Sequence, residues 1–558
     1  MTTSQLSKLA ATLVASLALL STFASAQLKI GSGNTAIADP DVPHPNTTPC
    51  KVILFSDYKF NNFNAQSFSY TPPSDCPGPW AKVILQANFS VSQGIQYDRT
   101  ANIWLGPTNI YFGTTSEPQP GEGRDWHVQR DLTDYSSIFT SAQDGTVDLG
   151  NLVNSQYTGV LHGTAFVLFY PVPAGATAPR TADQVIGFSA GPSGGTVGLN
   201  SATDLLEQTV TLPTNIRNVF FDVFAQSQYN DEFWYTCVPN DVTGELESCG
   251  NTAFRESEVT IDGTPAGVAP VYPWIFTGGI DPFLWIPIPG VQTLNFKPYR
   301  VNLTPFASLL DDGNPHTIAL SVFNDDDYFS ATASLLLYLD PNVTQFNGAV
   351  TTNTLSAPVP TVSENLHTAK NGNVQGTVTV KAGHNFQISG YLNTPKGPVT
   401  TTVAQDINFS SVQSFKVFST EYEQNINQNT TIRSVVTTHN PSGRTINTVN
   451  HNWPLKLNIT VLVLPDGSET QTTTVNQYNE ADQLAKHNGQ PTTFSLLEDR
   501  VTTTDTLNFD SSGNFTGNSN QSSAQNYFSS NSTGYCYSRD LTAAANLLTG
   551  ITDGTGCN

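Results

Sequence analysis

The sequence predicts an all-β protein: tandem antiparallel β-sandwiches of jelly-roll type with an additional C-terminal β-rich region. Three observations carry this expectation. Apolar and polar residues alternate with a period of two in many short runs, helical periodicity is scarce, and 41 glycines and 35 prolines punctuate the runs.

The elements follow in chain order. Strands are predicted at 52–55 and in "WAKVILQANFSV". There Ala81, Val83, Leu85, Ala87, Phe89 and Val91 step by two, with Lys82, Gln86 and Asn88 on the opposite face. Further strands are expected at 166–170, 219–224, 318–323, 335–339 and 376–380. In "LKLNITVLVLPDG" the set Leu455, Leu457, Ile459, Val461 and Val463 ends at a Pro-Asp-Gly turn. The best helical windows are short: 202–207, 478–486 and 541–548. Residues 171–184 read as a connector or long loop and 357–365 as a linker. The Ser/Asn-rich stretch 510–533 reads as a mobile, glycosylated loop. Past the linker only Trp453 remains of seven tryptophans. The expected division is a signal peptide at 1–26, an N-terminal segment at 27–49, sandwiches at 50–200 and 201–356, and a C-terminal accessory region at 357–558.

Charge narrows the function. With 45 acidic against 23 basic side chains the net charge is -22, which disfavours nucleic acid and anionic membranes as partners. Lys8 precedes an apolar run at 9–20 that is too short to span a bilayer, and Ala24-Ser25-Ala26 has the form of a cleavage site. A secreted chain with a mature start near Gln27 is expected, acting as a monomer. Six cysteines fall in three local couples: Cys50/Cys76, Cys237/Cys249 and Cys536/Cys557. Sequence leaves other pairings open, but neighbour pairing is the economical one in an oxidising compartment. No spacing favours zinc, so neither metal nor cofactor is expected. Glycosylation sequons stand at Asn46, Asn88, Asn302, Asn342, Asn408, Asn429, Asn458, Asn514, Asn520 and Asn531.

No G-x-S-x-G elbow, H-E-x-x-H helix or phosphate loop occurs. What stands out instead, in a chain only 12% charged, is carboxylates and arginines set among aromatics. That mixture suits sugars, whose apolar faces stack on rings and whose hydroxyls bind acids, amides and arginines. The first cluster is Tyr97-Asp98-Arg99 with Trp104, Glu117, Arg124, Asp125 and Trp126. The second is "QYNDEFWYTC" followed by "FRESEV", and the third is "YPWIFTGGIDPFLWIPIPG". Each also has a purely structural reading. An Asp–Arg couple can neutralise itself at a sheet edge, "NDE" can be a turn, Trp274 and Trp285 can be core, and Gly278-Gly279 can mark a tight turn.

At these clusters the sequence resembles a known family, the acidic peptide-N-glycanases (peptide N4-(N-acetyl-β-glucosaminyl)asparagine amidase A) of plants and fungi. The resemblance is carried by "QYDRTANIWLG", "TTSEP", "DWHVQRDLTDY", "NDEFWY", "FRESEV", "YPWIFTGGIDPFLW" and "VNLTPF…DDGNPHTIALSV" ending in "LLLYLD". They occur in the family's order from about Cys50 to Asp340. "WLGPTNI" and "TSEP" depart from the family's usual glycine pair and "TAEP", at positions that do not ionise. The resemblance implies cleavage of the amide between N-glycan and asparagine, leaving aspartate and a glycosylamine. It also implies paired jelly rolls with acidic residues at their cleft. An enzyme of that class with ten sequons should strip its own glycans unless folding hides the linkages, so N-glycopeptides and unfolded N-glycoproteins are the expected substrates, and native ones poor substrates.

Amide hydrolysis with no metal and no Ser or Cys nucleophile needs a carboxylate base and an acid for the leaving nitrogen. The expected assignment is Asp98 as base, with Glu117 or Glu232 as acid or as the group orienting the chitobiose. Arg99 and Arg255 would bind the oxyanion or hold the acids in place. Trp126, Trp234, Trp274 and Tyr235 are candidates for sugar stacking, and Asp231 and Glu256 complete the expected substrate-binding set. Two other classes remain open: a secreted carbohydrate-binding protein with the same aromatics and no turnover, and a carboxylate-dependent glycosidase.

Overall fold

The computed structural model describes residues 28–557, so the expected leader at 1–26 and its cleavage point lie outside the described residues. The first sandwich holds β1 (Cys50–Phe60), β2 (Gln66–Tyr70), β3 (Trp80–Val91), β4 (Thr100–Leu105), β5 (Thr108–Thr114), β6 (Arg124–Asp131), β7 (Gln143–Leu149) and β8 (Leu161–Pro171). Its sheets run β1-β8-β3-β6 and β2-β7-β4-β5, which is the jelly-roll wrap. The period-two set Val83, Leu85, Ala87, Phe89 and Val91 of β3 faces inward, in one cluster with Ala101, Ile103 and Leu105 of β4.

The second sandwich repeats the wrap. Its strands are β9 (Gln184–Phe188), β10 (Val197–Leu199), β11 (Leu206–Thr211), β12 (Ile216–Gln228), β13 (Glu256–Ile261), β14 (Thr264–Pro270), β15 (Tyr299–Asn302), β16 (Pro315–Phe323) and β17 (Tyr328–Leu339). The sheets run β10-β17-β12-β15 and β11-β16-β13-β14, and β9 also pairs with β17. The expected division after residue 200 therefore falls too late, because β9 and β10 are tied by long-range pairing to β17. Arg300 clamps the two sandwiches together. Its Nε donates to Asp222 Oδ1 at 2.7 Å and its guanidinium reaches Asp134 at 2.6 Å, while Tyr135 Oη donates to Asp222 Oδ2 at 2.9 Å.

Beyond them lies one 11-stranded meander: β18 (Asn347–Asn353), β19 (Thr361–Thr368), β20 (Val374–Thr394), β21 (Gly397–Phe418), β22 (Glu421–Asn440), β23 (Gly443–Val463), β24 (Glu469–His487), β25 (Gln490–Phe509), β26 (Phe515–Asn531), β27 (Cys536–Ala544) and β28 (Leu547–Asp553). At about 3.3 Å per residue, the 22 residues of β21 span roughly 70 Å. The inner face of this sheet has no core of its own: Val378, Phe409, Leu455, Val475 and Val501 share one hydrophobic cluster with Phe221 and Leu337 of the second sandwich.

Several local expectations give way to this sheet. Residues 478–486 carry Ala481, Leu484 and Ala485 at helical spacing, yet they lie in β24, where pairing on both sides overrides propensity. Residues 541–548 form the β27–β28 hairpin, whose turn sets Ala545 and Asn546 at φ 50° and 63°. Residues 202–207 are a turn leading into β11, 361–365 of the expected linker lie in β19, and most of the expected mobile loop at 510–533 is β26. Among the described residues the α-helices are single turns at Thr243–Leu246 and Ala307–Leu310.

All three disulfides join neighbours in sequence, Cys50–Cys76, Cys237–Cys249 and Cys536–Cys557. The sequons divide by exposure. Asn46, Asn342, Asn408, Asn514 and Asn520 are exposed, and Asn302, Asn429, Asn458 and Asn531 are half-buried. Asn88 is also half-buried, with its Nδ2 enclosed and its Oδ1 meeting His127 Nδ1 at 2.8 Å.

Candidate active site

The site begins where the chain leaves β3 and enters β4. Gln96 is buried and organises this corner: its amide donates to the carbonyls of Leu152 (2.9 Å) and Gly159 (3.0 Å), while its Oε1 accepts from Tyr97 N and Arg99 Nη2. The segment that continues β5 runs alongside. Arg99 N donates to Thr115 Oγ1 at 2.8 Å, Thr115 N to Arg99 O at 3.0 Å, and Asp98 N to Glu117 Oε1 at 3.0 Å. The two carboxyls also hydrogen-bond to each other, with Glu117 holding the proton.

The second sandwich supplies the opposite wall through two loops. One follows β14: Thr277 Oγ1 donates to Thr115 O at 2.6 Å, and the Gly278 backbone N–H donates to Asp98. A Cβ on Gly278 would lie 2.4 Å from Asp98 Oδ1 and 2.5 Å from Glu117 Oε1, so only glycine lets this wall close on both acids. Two residues on, Ile280 is held at φ 67°, a strained conformation for a β-branched side chain. The other loop follows β12 and carries Glu232 at the end of the Tyr229–Asp231 turn. The ring of the next residue, Phe233, packs on Gly279.

Electrostatics separate the three acids. Burial pushes Asp98 up to about 6, tempered by its hydrogen bonds and by Arg99. Burial and the adjacent Asp98 charge push Glu117 up to about 8. Burial, with a smaller contribution from Asp98, pushes Glu232 up to about 7. Among the described residues the Glu232 carboxyl accepts no protein hydrogen bond and lies near enough to feel the Asp98 charge. The Arg99 guanidinium is bonded only to Gln96, and its buried Nε has no partner. The arrangement therefore brings together three carboxyls of raised and unequal proton affinity and the Arg99 guanidinium.

The remaining expected site residues are elsewhere. Trp126 is 2% exposed in the first core and stacks on Phe89 at 5.7 Å. Trp234 and Tyr235 are buried edge to face, with Trp234 against Phe409 of the C-terminal sheet. Trp274 packs on Phe296 at 4.3 Å. All four are buried, and Trp126 and Trp274 reach only the walls of two other cavities, away from the three acids. Asp231 and Arg255 are both 0% exposed at the side chain and pair at 2.7 Å. Asp231 Oδ2 also accepts the backbone N–H groups of Asp326, Asp327 and Tyr328, while Arg255 binds the carbonyls of Asn251, Thr252 and Phe254. They lock loops and do not touch the cleft. Glu256 is buried against His384 of β20 at 2.6 Å. An aromatic lip does exist: Tyr97 is 53% exposed and pairs with Tyr157 at 5.4 Å. Sequence reasoning passed over Tyr157, Gln96, Thr115 and Thr277. It read Gly278 only as a turn, although a Gly-Gly pair between Phe276 and Asp281 was the signal available.

The sequence profile of the peptide N-acetyl-beta-D-glucosaminyl asparaginase amidase A family matches residues 40–356. The chain is 30% identical over 387 residues to the peptide-N4-(N-acetyl-beta-glucosaminyl)asparagine amidase A of Prunus dulcis, covering 66% of this chain and 67% of that relative. Among solved structures, PNGase F, a glycosylasparaginase from Flavobacterium meningosepticum, aligns over 52% of this chain and 96% of its own, at 13% identity and a TM-score of 0.33. PNGF-II aligns over 52% of this chain and 66% of its own, at 10% identity and a TM-score of 0.36.

Proposed function

The chain belongs to the peptide N-acetyl-β-D-glucosaminyl asparaginase amidase A family and is a peptide-N-glycanase, and from that premise we propose how its residues perform the hydrolysis. Asp98, as carboxylate, takes a proton from a water that attacks the side-chain amide carbon of the glycosylated asparagine. The oxyanion that forms is met by the Arg99 guanidinium, which Gln96 already holds in place. Glu232, protonated and free of protein partners, gives its proton to the departing nitrogen, so the products are aspartate and a glycosylamine. Glu117 keeps its proton and orients Asp98. The water is activated by these carboxyls without a metal.

The observation that carries this reading is the convergence of Asp98, Glu117 and Glu232 on one cleft with separated proton affinities. The exposed Tyr97–Tyr157 lip, in place of the buried tryptophans, gives the sugar its stacking surface. The site lies between two rigidly clamped sandwiches, which favours glycopeptides and unfolded glycoproteins over native ones. The three disulfides and the N-terminal sequence support secretion.

The test is incubation with an N-glycopeptide in heavy-oxygen water at about pH 6.5, between the charged and protonated acids, followed by mass spectrometry of both products. Aspartate carrying one heavy oxygen and an intact glycan is expected. N-acetylglucosamine left on asparagine would instead identify a glycosidase, and an unchanged peptide a binding protein.

A further inference from the structure

The inner face of the C-terminal sheet breaks its own apolar alternation at positions that matter to the site. Gln413 of β21 and Gln424 of β22 are buried, and their amides donate to the carbonyls of Cys237 and Thr236, each at 2.9 Å, just past Glu232. Gln477 of β24 donates to Pro273 O at 2.6 Å and accepts from Val291 N at 2.9 Å, so one side chain ties both ends of the loop bearing Gly278. Within that loop, Thr503 of β25 donates to Leu284 O and Gln521 of β26 to Ile286 O, both at 2.8 Å. Asp505 of β25 shares a hydrogen bond with the buried Asp281, three residues from Gly278. Among the described residues neither of these two carboxyls has a basic partner.

Burying an amide, hydroxyl or carboxyl where valine would serve packing costs free energy unless the group is bonded. Here six such groups send their bonds to two loops, and these are the loops that carry Glu232 and Gly278. We propose that the C-terminal sheet is a positioning element of the active site, bracing both loops so that Glu232 and Gly278 meet Asp98 and Glu117 in register. The inference rests on the roles given above to those residues, and it lies outside the 40–356 span that the family profile matches.

The experiment uses the full chain with Thr503→Val, Gln477→Leu and Gln424→Leu. Thr503→Ser restores the hydroxyl, and Val475→Ala weakens the same face at a side chain that makes no hydrogen bond to either loop. Small displacements of reacting groups are costly, so each of the first three variants should lose about tenfold or more in kcat with little change in KM. Thr503→Ser should return to wild type, and Val475→Ala should lower the melting temperature while keeping kcat. Hydrogen exchange across 273–291 should quicken in Thr503→Val and Gln477→Leu and stay slow in Val475→Ala. Unchanged kcat and exchange in all three loop variants, or equal losses in Val475→Ala, would overturn the proposal. A wild-type chain that releases no glycan would instead fail the functional reading, and the exchange measurement would still decide whether the sheet braces the loops.

Discussion

Asp98 and Glu117 are joined twice, once through the Asp98 backbone N–H to Glu117 Oε1 at 3.0 Å and once carboxyl to carboxyl. Their shared proton makes one a base and the other its support, and Gly278 closes over both.

That closure predicts the effect of a single methyl group. In Gly278→Ala the new Cβ must push the two carboxyls aside, and these are the mobile ends of side chains, so the fold tolerates it while the chemistry does not. A fall in kcat of about 10²-fold is expected, with an unchanged circular dichroism spectrum and a melting temperature within a few degrees of wild type. Activity close to wild type would remove Gly278 from the site.

The proton affinities set a pH profile. Asp98 must be charged, so activity rises through about 6, and Glu232 must be protonated, so it falls through about 7. A bell with its maximum between those values is expected in kcat/KM. Glu232→Gln should flatten the alkaline limb and lower the maximum by about 10²- to 10⁴-fold.

The proposed stacking surface is the Tyr97–Tyr157 lip. Tyr97→Ala should raise KM for a glycopeptide roughly two- to tenfold, the usual worth of an aromatic contact. Trp126→Phe, in the core, should leave KM unchanged and lower thermal stability instead.

Arg255→Met strands the Asp231 carboxylate in an interior where it has 0% exposure. Breaking a buried pair from one side costs about 3–5 kcal/mol, visible as a lower melting temperature in calorimetry. Because Asp231 also pins the backbone of 326–328 and neighbours Glu232, kcat should fall with it.

Stability should itself favour acid. Burial raises Asp281, Asp311 and Asp325 each to about 7, alongside the three acids of the site. The folded chain thus holds protons that the unfolded chain releases above about 4, so their contribution is complete below that value and disappears as pH rises through about 7. A melting temperature several degrees higher at about pH 5 than at about pH 8 is expected. The reverse order would contradict the burial of these carboxyls.

Much of this was legible beforehand, for identifiable reasons. The all-β reading came from alternation, and that signal is strong in β3 because one face meets a core. It failed in β24 and β27, where polar strands flanked on both sides carry too little contrast to mask Ala and Leu at helical spacing. Asp98 and Glu117 were legible because charge is rare in this chain. The tryptophans misled because a large ring marks a core as readily as a ligand platform. In "RDWHVQRD", however, Trp126 shares its phase with the buried Val128 and so already pointed inward. No local pattern links Asp231 to Arg255, 24 residues apart, or reveals that glutamines on β21 and β24 reach loops of another sheet.

The wedge of Gly278 between acids from the other sandwich has a consequence in time. Thr115 and Thr277, whose bond seats that wedge, are 162 residues apart, and the strands bracing the loop come later still. During synthesis the chain therefore presents its own Asn46 and Asn88 sequons long before it possesses a hydrolase. By the time the hydrolase is assembled, Asn88 is half-buried on β3, with its Nδ2 enclosed. The cleft that would act on a glycosylated asparagine is complete only once the strands bracing its loops have been made.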